Sequence, residues 1–312
     1  MARGNKPRAG SLQFWPRKRA KRMYPRIRSW NKVDTTKLLG FLGYKVGMTH
    51  LQAQETNPSL KAASLKNFPI TIIECPPLKL FSIRFYKHTL HGNKIITELL
   101  SSNLNKELKR KIKMPKSIKA TEPQEYDDIK ILVYTQPHLS FIKKKPEVLE
   151  LGISGSKEEK LSYAKSLLNK DIRISEIFKN NQYIDVHAVT KGHGFQGAVK
   201  RHGVALRSHK SEKKRRANIY GSQTPGKIRW GMPMPGQKGL NTRTEYNKLL
   251  LKISNNVEEI NPKQGFHQYG FVNSEYVLVK GSVPGAKKRL VVMTEPARTK
   301  KLFQTEIKFI KK

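Results

Sequence analysis

Three observations place this chain of 312 residues in a mainly β class, with an α insertion, a long basic N-terminal arm and a long central loop extension. Short β-branched and aromatic segments bounded by glycine or proline recur in both halves, as strands of a small barrel would. Between Glu98 and Glu176 the character changes, because 12 of the 23 acids fall there and apolar residues return at helical spacing. From Lys191 to Lys248 there are 14 Lys or Arg against two acids, Glu212 and Glu245, and no sustained apolar period. Such a stretch buries too little apolar surface to offset its ordering entropy, so it is expected to gain a fixed shape only against a polyanion.

Taken in order, Ala2 to Val33 carries 11 Lys or Arg and no acid, with Phe14, Trp15, Tyr24 and Trp30 spaced among them. Phosphates take such charge while exposed rings stack on bases, so 1–36 reads as a nucleic-acid arm. The first part of the barrel, 37–97, is expected from LLGFLGYKVGMT, TIIEC and LKLFSIRFY as successive strands, with glycines marking bends or bulges. Pro76 and Pro77 cannot donate to a sheet ladder, so they end the second strand in a tight connection between neighbours. The insertion, 98–181, is predicted to be α-rich. Leu100, Leu104, Leu108 and Ile112 recur at i+4 and predict a helix ending before Pro115. IKILVYT predicts a strand, and Ser156 with Glu159 forms an S-x-x-E capping box for a helix presenting Leu161, Ala164, Leu167 and Leu168 on one face. The barrel is expected to resume over 182–190 and 249–297, through YIDVHAVT, LLLKIS, QGFHQYGFV, EYVLVKGSVPGA and RLVVMT. That leaves 191–248 as a basic loop extension and 298–312 as a basic tail.

A net charge of +39 on 35.8 kDa exceeds what solubility asks for, and a chain so charged repels itself unless its setting supplies negative charge. Nucleic acid is the first candidate and an anionic membrane the second. At 37 % hydrophobic residues there is enough for one core of roughly 150 to 200 residues plus basic extensions. Cys75 is the only cysteine, which excludes an internal disulfide or a cysteine-based zinc site; within TIIEC it reads as a buried, inert thiol. No run of about 18 apolar residues occurs and no signal-peptide core follows Met1, so an intracellular protein with no membrane partner is expected. GSLQFWPRKR has the basic composition of a transit peptide but is too broken by glycine and proline for its amphipathic helix.

Several motifs weigh against plainer readings. GHGFQGAV (192 to 199) matches G-x-G-x-x-G-x-V literally. A kinase would also need V-A-I-K, H-R-D and D-F-G, which are absent, and a dinucleotide site would need an acid where KKRRA stands. The surviving chemistry is close approach of glycine backbone to phosphate, completed by Lys200 and Arg201. His193, His202 and His209 are spaced nine and seven apart and have no carboxylate or thiol cluster beside them. Neutral imidazoles facing bases, phosphate or 2′-hydroxyls are expected there rather than a metal, and no cofactor is implied. SHKSEKKRR, holding His209, Lys213, Lys214, Arg215 and Arg216, is the charge peak. With Tyr220, Arg229, Trp230 and Arg243 near it in sequence, it reads as a nucleic-acid contact rather than a solvated face. TPGKIRWGMPMPGQKG combines entropy-limiting prolines with close-packing glycines.

FLGYKVGMTH, VTKGHGFQGAVKRHG, TPGKIRWGMPMPGQKGLNTRTEYNK and VKGSVPGAKK together resemble the large-subunit ribosomal protein L three family, and GSLQFWPRKRAKR resembles the arm of its archaeal and eukaryotic branch. The resemblance covers nearly the whole chain in order. It implies a six-stranded closed β-barrel of the translation-protein type with an inserted helical region. The arm and extension would penetrate large-subunit ribosomal RNA, with Gln223, Thr224 and Pro225 at a loop tip near the peptidyl transferase centre. Arm contacts then fall on Arg17, Lys18, Arg19, Lys21 and Arg22. Extension contacts fall on Lys191, His193, Lys200, Arg201, Lys227, Lys238 and Arg243. Archaeal and eukaryotic members generally place Trp-His-Pro at the tip; Gln-Thr-Pro resembles the bacterial version and puts no tryptophan there.

The expected function is that of a non-enzymatic structural constituent of the large ribosomal subunit, cytoplasmic, with ribosomal RNA and neighbouring ribosomal proteins as partners and no small-molecule substrate. Two alternatives from other classes are a nucleotide-dependent RNA-modifying enzyme and a DNA-compacting chromatin protein.

Overall fold

The computed structural model describes residues 11–31, 33–56, 65–115, 122–215, 226, 228, 230–298, 301, 302 and 304–311. Among them run the strands β1 (Gly40–Thr56), β2 (Leu65–Glu74), β3 (Leu78–Thr89), β4 (Gly92–Leu100), β5 (Asp128–Thr135), β6 (Val148–Gly152), β7 (Asp171–Ile172), β8 (Gln182–Val189), β9 (Gly192–Gln196), β10 (Gly236–Gly239), β11 (Thr242–Ser254), β12 (Tyr276–Lys280), β13 (Leu290–Thr294) and β14 (Gln304–Ile310). The helices are α1 (Lys157–Ser166), α2 (Ala198–His202) and α3 (His209–Glu212), with four short 3-10 turns. The chain divides into two units: Met1–Arg22 with Thr190–Thr242, and Met23–Val189 with Arg243–Lys312.

In the larger unit a sheet runs β13-β8-β11-β12-β2-β1-β14, and a further β13–β1 pairing closes six of its strands into a ring. Each central strand alternates its side chains, so Val277 and Val279 join one apolar cluster while Leu278 joins another. Leu250 and its neighbours Leu249 and Leu251 divide in the same way. Gly43 lets β1 press against β2: a Cβ there would lie 2.5 Å from Ile73 Cγ2. A register shift between Lys45 and Gly47 is the bulge that glycine spacing in β1 predicts. A second sheet, β4-β3-β5-β6 with β7 on β3, shares the first cluster through Leu80, Ile83, Ile131 and Val133. Its other face holds Phe81, Leu132 and Tyr134 against Leu104, Leu108 and Ile112.

Several expectations change here. Among its described residues the interval 98–181 is not α-rich: it holds one α-helix, α1, and short 3-10 turns, set among the strands β5, β6 and β7. The predicted helix through Leu100 to Ile112 does not form. Leu100 ends β4, Asn169 Oδ1 accepts from the Ser101 and Ser102 hydroxyls and the Asn103 N–H, and only Lys106–Arg110 turns. The leucines meet the sheet through a strand end and a turn, which reproduce an i+4 recurrence without a helix. Pro76 and Pro77 do end β2, but the chain then changes sheet, because β3 pairs with β4 and β5 rather than with β2. QGFHQYGFV makes turns instead of a strand, with φ of +71° at Gly265, +62° at Gln268 and +104° at Gly270. The tail carries a strand that composition hid, since β14 pairs with β1 from Leu51 to Thr56.

Other expectations hold. The capping box is present, with Ser156 Oγ accepting from Glu159 N at 3.4 Å and Glu159 Oε2 from Ser156 N at 3.0 Å. Ala164 and Leu167 are buried. Cys75 is fully buried, and desolvation together with Glu74 and Glu275 holds its thiol well above the ordinary range.

Candidate nucleic-acid interface

The smaller unit contains 20 Lys or Arg and one acid, Glu212. Its apolar content cannot hold it together: among its described residues only Ala198 is buried. Leu12, Phe14, Phe195, Leu206, Ile228 and Trp230 are all exposed. Polar contacts between backbone and cations take the place of a core.

The ends of the extension pair with each other. Strand β9 pairs antiparallel with β10, matching Gly236 with Gln196 and Gly239 with Gly192. Gly239 has φ of +73°, and a Cβ on it would lie 1.9 Å from the Lys191 carbonyl oxygen, so no other residue fits. Around this hairpin Arg201 acts as a clamp. Its guanidinium donates to the carbonyls of Met234 at 2.8 Å, Gln237 at 3.0 Å and Arg17 at 3.2 Å. Arg17 returns a bond to the Arg201 carbonyl at 2.7 Å. The planar five-donor fork is what makes this possible; an ammonium could not span those oxygens. Lys238 donates to the Lys200 carbonyl at 2.5 Å, and Ala20 N–H to Leu240 O at 2.8 Å.

Aromatic rings complete the assembly. Trp15 stacks on His202 with centroids 5.7 Å apart, meets Trp230 at 5.5 Å, and carries the Arg17 guanidinium 5.5 Å from its ring. Burial, with the charges of Arg17 and Arg201, lowers the pKa of His202, which keeps the stacked imidazole neutral. The same burial and the Arg17 charge lower that of Arg201.

The site residues read from the sequence therefore divide. Lys18, Arg19, Lys21, Arg22, Lys191, His193, Lys200, His209, Lys213, Lys214, Arg215 and Trp230 are exposed. Arg17, Arg201 and Lys238 are half-buried, with donors engaged on backbone carbonyls within the unit. Arg243 is half-buried in the larger unit. Arg216, Gln223, Thr224, Pro225, Lys227 and Arg229 lie outside the described residues. Two arm aromatics read as base-stackers are covered by protein: Tyr24 and Trp30 pack on the large core, where a Cβ at Gly152 would meet Trp30 Cγ at 2.6 Å. The glycine motif is the strand β9 followed by the five-residue α2, which stops at left-handed Gly203. A dinucleotide site wants a glycine turn after a strand and a long helix, so the geometry disagrees with that reading. The Arg201 clamp was invisible in sequence, because an arginine that binds carbonyls looks like one that binds phosphates.

Comparison with known proteins adds the family. Residues 1–311 match the family described as Ribosomal protein L3. The large ribosomal subunit protein uL3 of Methanocaldococcus jannaschii is 46 % identical over 308 residues, covering 94 % of this chain and 92 % of the relative. Those of Archaeoglobus fulgidus, at 45 % over 95 % of this chain and 93 % of the relative, and of Methanobrevibacter smithii, at 43 % over 96 % and 94 %, are similar in the same way. With its ring of strands and its acid-poor unit accounted for along almost the entire sequence, the chain belongs to the ribosomal protein L3 family.

Proposed function

We propose that this protein is a structural constituent of the large ribosomal subunit, not an enzyme, and that it binds and organises large-subunit ribosomal RNA through its arm, 1–36, and its extension, 191–248. The six-stranded ring is then a barrel of the translation-protein type, and the tip at Gln223, Thr224 and Pro225 lies near the peptidyl transferase centre. The setting is the cytoplasmic ribosome, with neighbouring ribosomal proteins as further partners. Family membership supports the ribosomal assignment. The observation that carries the RNA reading is the pairing of Arg17 with Arg201: each guanidinium donates to the other residue's carbonyl, the Arg17 charge lowers the Arg201 pKa, and neither makes an ion pair among the described residues. Like charges brought together without an acid need an outside anion, and a polyphosphate backbone supplies it at the required density.

Affinity for large-subunit ribosomal RNA is therefore expected to fall steeply with salt, with a log–log slope of magnitude above about 5 if on the order of ten phosphates are neutralised. A binding titration from about 0.05 to 0.2 M salt measures it, and a nearly salt-independent affinity would falsify the reading. Competition with duplex DNA separates the chromatin alternative: equal affinity for both polymers would support compaction rather than ribosomal placement.

A further inference from the structure

We infer that a second RNA-backbone contact surface lies on the larger unit, on the paired turns 262–271 and 281–289. The inference rests on the RNA reading above and names residues outside the arm and the extension.

The two turns lie side by side over the bulge of β1. Lys287 Nζ donates to the His267 carbonyl at 2.7 Å, and Lys288 N–H to the Lys45 carbonyl at 2.8 Å. A Cβ at Gly47 would lie 3.5 Å from Phe266 Cδ1, which places the first turn on the same spot. The second turn is anchored from below, where Lys45 Nζ donates to the carbonyls of Val283 at 2.5 Å and Gly285 at 3.3 Å. Arg289 also reaches the Val189 carbonyl at 3.1 Å. This surface is thus preformed.

Charge balance sets it apart from the second sheet and α1, where several cations face acids: Arg84 faces Glu98 and Glu150, Lys130 faces Glu150, Lys160 faces Asp128 and Lys165 faces Glu122. Between 261 and 289 there are five Lys or Arg and a histidine against one acid, Glu275, one of whose carboxylate oxygens is buried. Lys263 and Lys288 are exposed and make no ion pair among the described residues, and His267 and half-exposed Phe271 stand in the same turns. Unneutralised ammoniums on a rigid turn suit phosphates as point charges, and the exposed rings beside them suit bases or riboses.

The test is a double variant, K263E/K288E, of the full chain, with K94E/K109E, on β4 and on the turn Lys106–Arg110, as an equal change of charge at two exposed lysines elsewhere on the larger unit. The probe is full-length large-subunit ribosomal RNA transcribed in vitro, and the readout is the slope of log affinity against log salt. Losing two phosphate contacts should reduce the magnitude of the slope by about 1.5, while K94E/K109E leaves it near wild type. An unchanged far-UV spectrum verifies that the variant folds, and both lysines are exposed. A wild-type slope in K263E/K288E, or an equal loss in K94E/K109E, would overturn the inference while the RNA reading survives. Unchanged RNA binding with exclusion of the variant from assembled subunits would also overturn it, assigning the turns to an acidic protein. Absence of salt-dependent binding by wild type would sink the RNA reading first, and this surface with it.

Discussion

His187 sits in β8 with its two ring nitrogens 2.8 Å from Thr244 Oγ1 and 3.1 Å from Thr294 Oγ1. Burial lowers its pKa, against a smaller opposing effect of Asp185. The folded chain thus resists a proton that the unfolded chain takes up near pH 6.5. The stability it contributes is present above about pH 6.5 and is lost as pH falls below that toward the lowered folded value. His187→Gln keeps a group able to bond either hydroxyl without titrating. Thermal melts should show wild type losing more Tm between pH 7.5 and 5 than His187→Gln, and parallel losses would refute this role. Some residues of this kind are legible in sequence and others are not. Cys75 reads as inert because the β-branched run around it forces burial. Trp30 misleads, because its cover, Gly152, lies far along the chain and nothing near the tryptophan announces it.

Elements were legible wherever local chemistry decides them. The Ser156 capping box opens α1 and the proline pair ends β2, because each acts within a few residues. They were illegible where a distant partner decides. The leucines near 100–112 fit a helix by spacing, yet the face of the second sheet drew them into a strand end and a turn. Strand β14 exists because β1 outruns its ring partners and offers an edge, a fact no tail composition records. The hairpin β9–β10 is of the second kind too, since Arg201 ties it together. Replacing Arg201 with Lys keeps the charge and removes the fork. Loss of one or two charged hydrogen bonds at a half-exposed site should cost about 1.5 kcal/mol locally, roughly a tenfold gain in exchange rate. Hydrogen exchange of Gly236 to Gly239 should show that gain while Val277 to Val279 keep their protection. Equal loss in both would mean that Arg201 supports general stability and not this hairpin.

Over the whole molecule, charge and apolar burial are distributed in opposite ways. Among the described residues the larger unit holds nearly all the buried apolar side chains, and the smaller one buried residue, Ala198; in the sequence the larger holds 22 of the 23 acids and the smaller 20 cations. The first depends on hydrophobic burial, which moderate salt barely alters; the second works against its own repulsion, which salt screens. Raising NaCl from 0.1 to 1 M shortens the screening length from about 10 to about 3 Å, well below the span of that unit's charges. In the free protein, amide protection over 191–203 and 236–241 should therefore rise with salt from a low base, while the strands of the ring stay near their global value. Affinity for ribosomal RNA should fall over the same range, because released counterions drive it. Opposite signs for the two responses follow only if the unit lacks a core and is completed by a polyanion. Protection that is already high at 0.1 M and unmoved by salt would mean that the smaller unit is stable by itself, and that its excess of cations is not what its order depends on.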